Sequence, residues 1–452
     1  MIKSILAAGA VLLLALAASA QPEPSPIEAY VEEGLSNNLA LQQQTVSVEQ
    51  ARLRLREARS LFGPTLSLEA RYTVAGGGRT IDFPVGDLLN PVYATLNQLT
   101  GSQSFPTIDN EEIGFLLPRE QDTRLRLLQP IYQPVIGYNA RLQQNQLDAE
   151  QAGVDAYRDE LALEIRSAYY GYLQAQQIAN LLDSTRVLVE ENVRVSRRLV
   201  ANDQATEDVV FRAQAELLGL DRQRAEASQG RLAARNYFNF LLNRSLESEI
   251  EPEREAVEFT DAGSFTDAPA ISDALDLRDE LRQLDFGLRA ADQGVKIARA
   301  NYLPSLALAL DAGIQGETYT FNDGAPFYAG SVVLSWTLFD LGTRRARTEQ
   351  ARLQRQQLDV RRDELRRQIE LQVRDAFNAV DVAQREVEAA EGALQAAQKS
   401  FDIVSRKFAL GLSPQLEFLD ARTTLTDAGI DALVARYGLK IRVAEYRRAI
   451  GA

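Results

Sequence analysis

The sequence predicts an α+β membrane protein. Several chains each give four strands to one β-barrel, long helices continue it, and the chain is internally duplicated. Three observations lead there. The period of the apolar residues switches from helical to alternating twice, at Pro64 and at Pro304. Two proline-free helical stretches, about 136–200 and 343–409, far exceed what a globular domain uses. An export signal precedes both.

The switches define the strands. Proline cannot continue a helix and pushes its predecessor into an extended conformation. After Pro304, Leu306, Leu308 and Leu310 fall on one face, with Ala307, Ala309 and Asp311 on the other. After Pro64, Leu66, Leu68 and Ala70 oppose Ser67, Glu69 and Arg71. Strands are expected at about 65–73, 122–132, 305–313 and 328–339. In the second, Leu125, Leu127 and Ile131 share a face against Arg124 and Arg126. In the fourth, Val332, Leu334, Trp336 and Leu338 alternate with Ser331, Val333, Ser335 and Thr337. Residues 74–121 hold Gly76, Gly77, Gly78 and several prolines, and read as a long loop.

Helices are expected at about 26–62, 136–200, 206–242, 271–302 and 343–409, with a last one running to about 450. Leu161, Ile165, Ala168, Tyr169 and Leu173 form one helical stripe, and Ile369, Val373, Ala376, Phe377 and Val380 another. At 1.5 Å per residue the two long helices reach about 95–100 Å, which suits a coiled coil or a tube.

Subtraction reveals the duplication. Pro304 lies 240 residues after Pro64. Ala376 and Phe377 lie 208 after Ala168 and Tyr169, and Arg406 lies 209 after Arg197. The offset falls by 32 across the segment 74–121, which is therefore an insertion in the first copy. The expected division is a signal peptide at 1–20, a first repeat at 21–244, an acidic linker at 245–270 and a second repeat at 271–452. The linker acids include Glu247, Glu249, Glu251, Glu253, Glu255, Glu258 and Asp261, and read as a solvated connector.

Lys3, an apolar run from Ile5 to Ala17, and Ala18-Ser19-Ala20 make up the signal. Composition then excludes several classes. The net charge is −14, a poor match to nucleic acid. There is no cysteine and no histidine, so disulfides, thiolate chemistry and imidazole ligands are absent. No nucleophile–base pair, phosphate loop or metal cluster can be assembled, so neither an enzyme nor a cofactor is expected. No second apolar run reaches ~18 residues, so any crossing of a membrane is by strands.

A half-buried strand of a soluble sheet shows the same alternation. The export signal and the lack of further strands for a sandwich favour the membrane reading. Four strands cannot close a barrel alone, and open edges are not tolerated in lipid, so several chains must share one. The rival from another class is a soluble periplasmic coiled-coil scaffold or adaptor-like protein, which would not need detergent.

The stretch Gly411, Leu412, Ser413, Pro414, Gln415, Leu416, Glu417, Phe418, Leu419, Asp420, Ala421, Arg422, Thr423, Thr424, Leu425 resembles the second periplasmic helix turn of the outer-membrane efflux protein family, the TolC-like channels of Gram-negative bacteria. Residues 300–308, the pairs Ala168-Tyr169 and Ala376-Phe377, and the helix ends at 241–243 and 446–451 support it. The resemblance covers nearly the whole mature chain. It implies a homotrimer with a twelve-stranded barrel in outer-membrane lipid. It also implies a periplasmic extension whose closed end docks an adaptor protein and an inner-membrane pump.

The resemblance places Glu417 and Asp420 at the family's acidic pore constriction. Three residues apart, they share a helix face, and in a trimer they would form rings that focus negative potential. A solvated acidic face gives the same pattern. The family closes its pore with bonds from a tyrosine and an arginine; the matching positions here are Phe408 and Ser413, which have neither hydroxyl ring nor charge. The turns Leu410-Gly411-Leu412 and Ala201-Asn202-Asp203 are the expected adaptor-docking tips. Gly411 permits a left-handed backbone, and Asn202 is the expected counterpart in the first turn, which also reads as an ordinary helix–helix turn.

Overall fold

The computed structural model describes residues 25–252, 271–319 and 326–452. The signal peptide and most of the acidic linker lie outside them. The elements are α1 (Pro26–Asn37), α2 (Leu39–Ser60), β1 (Thr65–Val74), β2 (Thr80–Phe83), α3 (Val85–Thr100), β3 (Glu111–Gly114), β4 (Arg119–Tyr132), α4 (Pro134–Ala201) and α5 (Asp208–Leu241). They continue with α6 (Ile271–Leu277), α7 (Asp279–Ala300), β5 (Ser305–Gly316), β6 (Pro326–Ser335), α8 (Thr343–Ala409) and α9 (Gln415–Ile450). Among the described residues no helix is long and apolar enough to cross a membrane.

The chain forms two compact units, each drawing on both halves of the sequence. One comprises Met1–Ala51, Asn145–Leu288 and Gln356–Ala452; the other comprises Arg52–Gln144 and Arg289–Arg355.

The second unit holds an antiparallel sheet in the order β1-β4-β5-β6. Its register sorts the side chains as the alternation requires. Leu127 lies between Leu66 and Leu310, and Leu125 between Leu68 and Ala312. Leu308 and Leu306 meet Val332 and Leu334. The other face carries charge: Arg124 pairs with Glu69 at 3.0 Å and Asp122 at 3.6 Å, and Arg126 with Asp311 at 2.8 Å and Glu69 at 3.5 Å. One apolar and one charged face is the pattern of a strand between lipid and an aqueous lumen.

Two strand expectations change. Ile131 does not share the face of Leu125 and Leu127. The register shifts between Pro130 and Tyr132, so Tyr132 meets Leu306 instead. Pro130 has no N–H to give to the ladder, and a bulge absorbs the defect. The fourth strand stops at Ser335, so Trp336 and Leu338 lie outside it. Ser335 is the last rung because its partner Ser305 follows Pro304, where the ladder ends. Trp336 leaves the sheet and donates Nε1–H to the Tyr302 carbonyl at 3.0 Å.

The segment 74–121 is also not a structureless loop. It contains the hairpin β2–β3 and the helix α3. Four side-chain-to-backbone bonds hold α3 against the irregular segment that follows it. Asn90 exchanges two with Ile108, each at 2.9 Å, and Asn97 two with Phe105 at 2.7 and 3.0 Å. A composition of glycine, proline and asparagine hides such a helix, because its stability comes from these clamps rather than from propensity.

In the first unit the two predicted stripes are the cores. Leu161, Ile165 and Tyr169 are fully buried, and so are Ile369, Val373 and Val380. Tyr169 packs on Phe238 with ring centroids 5.7 Å apart; 208 residues on, Phe377 packs on Tyr446 at 5.9 Å.

The first helix, expected as one piece over 26–62, breaks at Asn38. Its Oδ1 accepts from the N–H groups of Ala40 and Leu41 at 3.0 and 3.1 Å, starting α2 afresh. Its Nδ2 donates to the Leu241 carbonyl at 2.9 Å, at the end of α5. Arg278 breaks the second copy 240 residues later, between α6 and α7, and its Nη1 donates to the Ala449 carbonyl at 3.1 Å. Leu241 and Ala449 are themselves 208 apart, so both copies tie a helix break to the same place on their last helix.

Candidate functional site

The two inter-helix turns of the first unit are built alike. At the end of α8, Leu412 N–H donates to the Lys407 carbonyl at 2.8 Å and Gly411 N–H to that of Phe408 at 3.0 Å. Gly411 takes φ 73°, where glycine avoids the Cβ clash. At the end of α4, Gln204 N–H donates to Leu199 at 2.8 Å and Asp203 N–H to Val200 at 3.0 Å. Here Asp203, not Asn202, takes the left-handed conformation, with φ 56°. The bond pattern places the positive φ two residues after the last helical position, whichever of the two acids or amides is the better left-handed former. Leu410, Gly411 and Leu412 are exposed, as are Ala201, Asn202 and Asp203.

A polar cluster brings the turns to one end of this unit. Gln415 opens α9, and its Nε2 reaches Asn192 Oδ1 at 3.2 Å, Ser196 Oγ at 3.0 Å and the Val209 carbonyl at 3.0 Å. One amide thus ties α9 to the end of α4 and the start of α5. Sequence reasoning missed Gln415, because its partners lie more than 200 residues away. Deeper along α9, buried Arg422 forms an ion pair with Glu216 of α5.

Glu417 and Asp420 both lie exposed in the first two turns of α9. Ser413 Oγ donates to Glu417 Oε2 at 2.5 Å, fixing that carboxylate at the helix start, where the macrodipole favours negative charge. Asp420 makes no ion pair among the described residues, and its carboxylate is left to solvent. The two positions that lack the family's tyrosine and arginine are both engaged. Phe408 stacks on Phe418 at 4.8 Å with 21° between planes, and Ser413 is the Glu417 donor. Aromatic stacking and a hydroxyl–carboxylate bond thus join the end of α8 to the start of α9.

The first unit also holds a partly buried charge network around Arg278, which no motif marked. Arg278 donates to Glu280 at 2.9 Å through Nε and through Nη2. Arg448 donates to Glu280 at 2.5 Å and to Glu160 at 2.9 Å. These residues line a cavity of about 520 Å³ with Gln372, Asp375 and Arg442. Burial pushes the Glu280 carboxyl up, but the bonds from Arg278 and Arg448 outweigh it and hold it down to about 2.

Residues 270–452 match the outer membrane efflux protein family. The chain is 25% identical over 274 residues to the probable efflux pump outer membrane protein TtgC of Pseudomonas putida, covering 59% of this chain and 55% of that one. It is 26% identical over 283 residues to the alkaline protease secretion protein AprF of Pseudomonas aeruginosa, covering 62% and 58%. The chain thus spans little more than half the length of these relatives. Its fold matches the crystal structure of the CmeC outer membrane channel of Campylobacter jejuni with a TM-score of 0.77, over 94% of this chain and 85% of that one, at 16% identity. Its second half thus matches the outer membrane efflux protein family, and over nearly its whole length the chain has the fold of a solved outer-membrane channel.

Proposed function

We propose that the chain is the passive outer-membrane exit duct of a tripartite efflux or type I secretion system. The observation that carries this reading is the four-stranded sheet, with one apolar face, one charged face and unpaired edges at β1 and β6. An unpaired backbone group in hydrocarbon costs several kcal/mol, so an edge must be closed by another strand. Copies of the chain supply it: β1 of one lies beside β6 of the next. Three copies give twelve strands, with the ion pairs of Glu69, Arg124, Arg126 and Asp311 lining the lumen. The names of the relatives, an efflux pump outer membrane protein and a secretion protein, agree with a duct that other components energise.

The exposed turns at 410–412 and 201–203 are the docking tips for a periplasmic adaptor, which connects to an inner-membrane pump. Glu417 and Asp420 lie a few residues inside the same end and narrow the pore as two acidic rings. The chain performs no chemical step of its own.

Mass measurement of the detergent-solubilised protein should give three chains per particle. A monomer that stays in solution without detergent defeats the reading. The direction of insertion has its own test. The segment 75–118 joins the ends of β1 and β4 and should face the outside. Protease added to intact cells should cut there and spare 245–269. Cleavage of the linker instead would invert the topology.

A further inference from the structure

The insertion between β1 and β4 carries an apolar ridge that its own chain leaves uncovered. On α3, Leu88, Val92 and Leu99 are 70%, 51% and 77% exposed. Spacings of four and seven put them on one side of the helix. The opposite side is committed: Asn90 and Asn97 hold the returning segment at Ile108 and Phe105, and Tyr93 packs on Phe105 with centroids 5.6 Å apart. The ridge is therefore rigid before it meets a partner, and α3 carries a single charge, at Asp87. A fixed, uncharged apolar ridge on a surface marks an interaction site.

The topology says where it sits. The insertion grows from β1, which is an edge of the sheet. Its root, Val74, is paired with Arg119 at the same end of the sheet where Ile314 pairs with Pro326, the first residue of the other edge strand. There Tyr328 of β6 is 91% exposed on the apolar face. In a ring of copies, β6 of one chain closes on β1 of the next, so that tyrosine arrives beside the neighbour's insertion. Lipid headgroups are the weaker occupant. Helices that lie in a membrane interface present Lys and Arg, and α3 has none. The insertion carries Asp82, Asp87, Asp109, Glu111 and Glu112 against Arg79 alone, so anionic headgroups repel it.

We propose that the α3 ridge of Leu88, Val92 and Leu99 packs on the adjacent copy of this chain, against the Tyr328 end of its β6, and covers the seam between the two sheets from outside. This rests on the ring assembly proposed above.

A photoreactive phenylalanine placed at Val92 tests it, with the same probe at Ala94, on the opposite side of α3, as the control. Irradiated membranes should give covalent dimers and trimers of the chain from position 92 and few from position 94. In the Tyr328→Ala background the yield at 92 should fall about fivefold, the loss of one well-packed aromatic contact, while the detergent particle keeps its mass. A trimer without chain–chain products, products on lipid only, or equal yields at 92 and 94 each overturn the ridge contact and leave the duct reading standing. Loss of the trimer in the parent protein overturns the duct reading itself.

Discussion

Glu280→Gln should destabilise the helical unit. The side chain is the shared acceptor of Arg278 and Arg448, and Arg278 is only 6% exposed. Glutamine keeps the shape and removes the charge, leaving Arg278 without a carboxylate while Arg448 keeps only Glu160. Breaking a fully buried ion pair from one side costs about 3–5 kcal/mol; the partial exposure of Glu280 and the remaining Arg448–Glu160 pair bring the expected cost below that range. Thermal unfolding of the detergent-solubilised protein should show a clear fall in midpoint. The same residue sets an acid dependence. Its folded value, about 2, lies below the ordinary 4.5, so its contribution is complete above about 4.5 and is lost as the pH falls toward 2. That shift corresponds to about 3 kcal/mol. Burial raises Asp159 and Asp279 nearby, so both act in the opposite sense and offset part of the loss. The parent should weaken over this window and the Glu280→Gln variant much less. Equal acid profiles would show that acid breaks the protein elsewhere.

The double change Glu417→Gln with Asp420→Asn should alter conduction with little effect on folding. Both groups are exposed, so no buried partner is orphaned. The expected stability loss is the helix-start term of about 0.3–1 kcal/mol. The Ser413 hydroxyl can still donate to the amide oxygen of the substituted side chain, so the turn geometry survives. In a trimer the change removes six like charges from one narrow place. Single-channel recording should show weaker cation selectivity, with the largest difference at low salt, where the screening length is greatest. Multivalent cations should block the parent and block the variant less. If selectivity and block are unchanged at low salt, Glu417 and Asp420 form a solvated face and the constriction lies elsewhere.

What could be read in the sequence is what repeats within a few residues. Pro64 and Pro304 mark the helix-to-strand switches because a missing N–H and a fixed φ act locally. The strand faces and the buried stripes at Leu161, Ile165, Tyr169 and at Ile369, Val373 followed from periods of 2 and 3.6. Gly411 announced its turn because only a residue without Cβ enters the left-handed region freely. Everything decided by partners far along the chain stayed hidden. The breaks at Asn38 and Arg278 depend on carbonyls 203 and 171 residues away. Gln415 became the tie among three helices only once Ser196 and Val209 were beside it. The last strand ends at Ser335 because its neighbour begins at Ser305, although the alternation in its own sequence runs on. In the same way α3 exists because Phe105 and Ile108 return to Asn97 and Asn90. Local steric rules act on a window of a few residues; hydrogen-bond satisfaction of buried or broken backbone is settled only when the whole chain has come together.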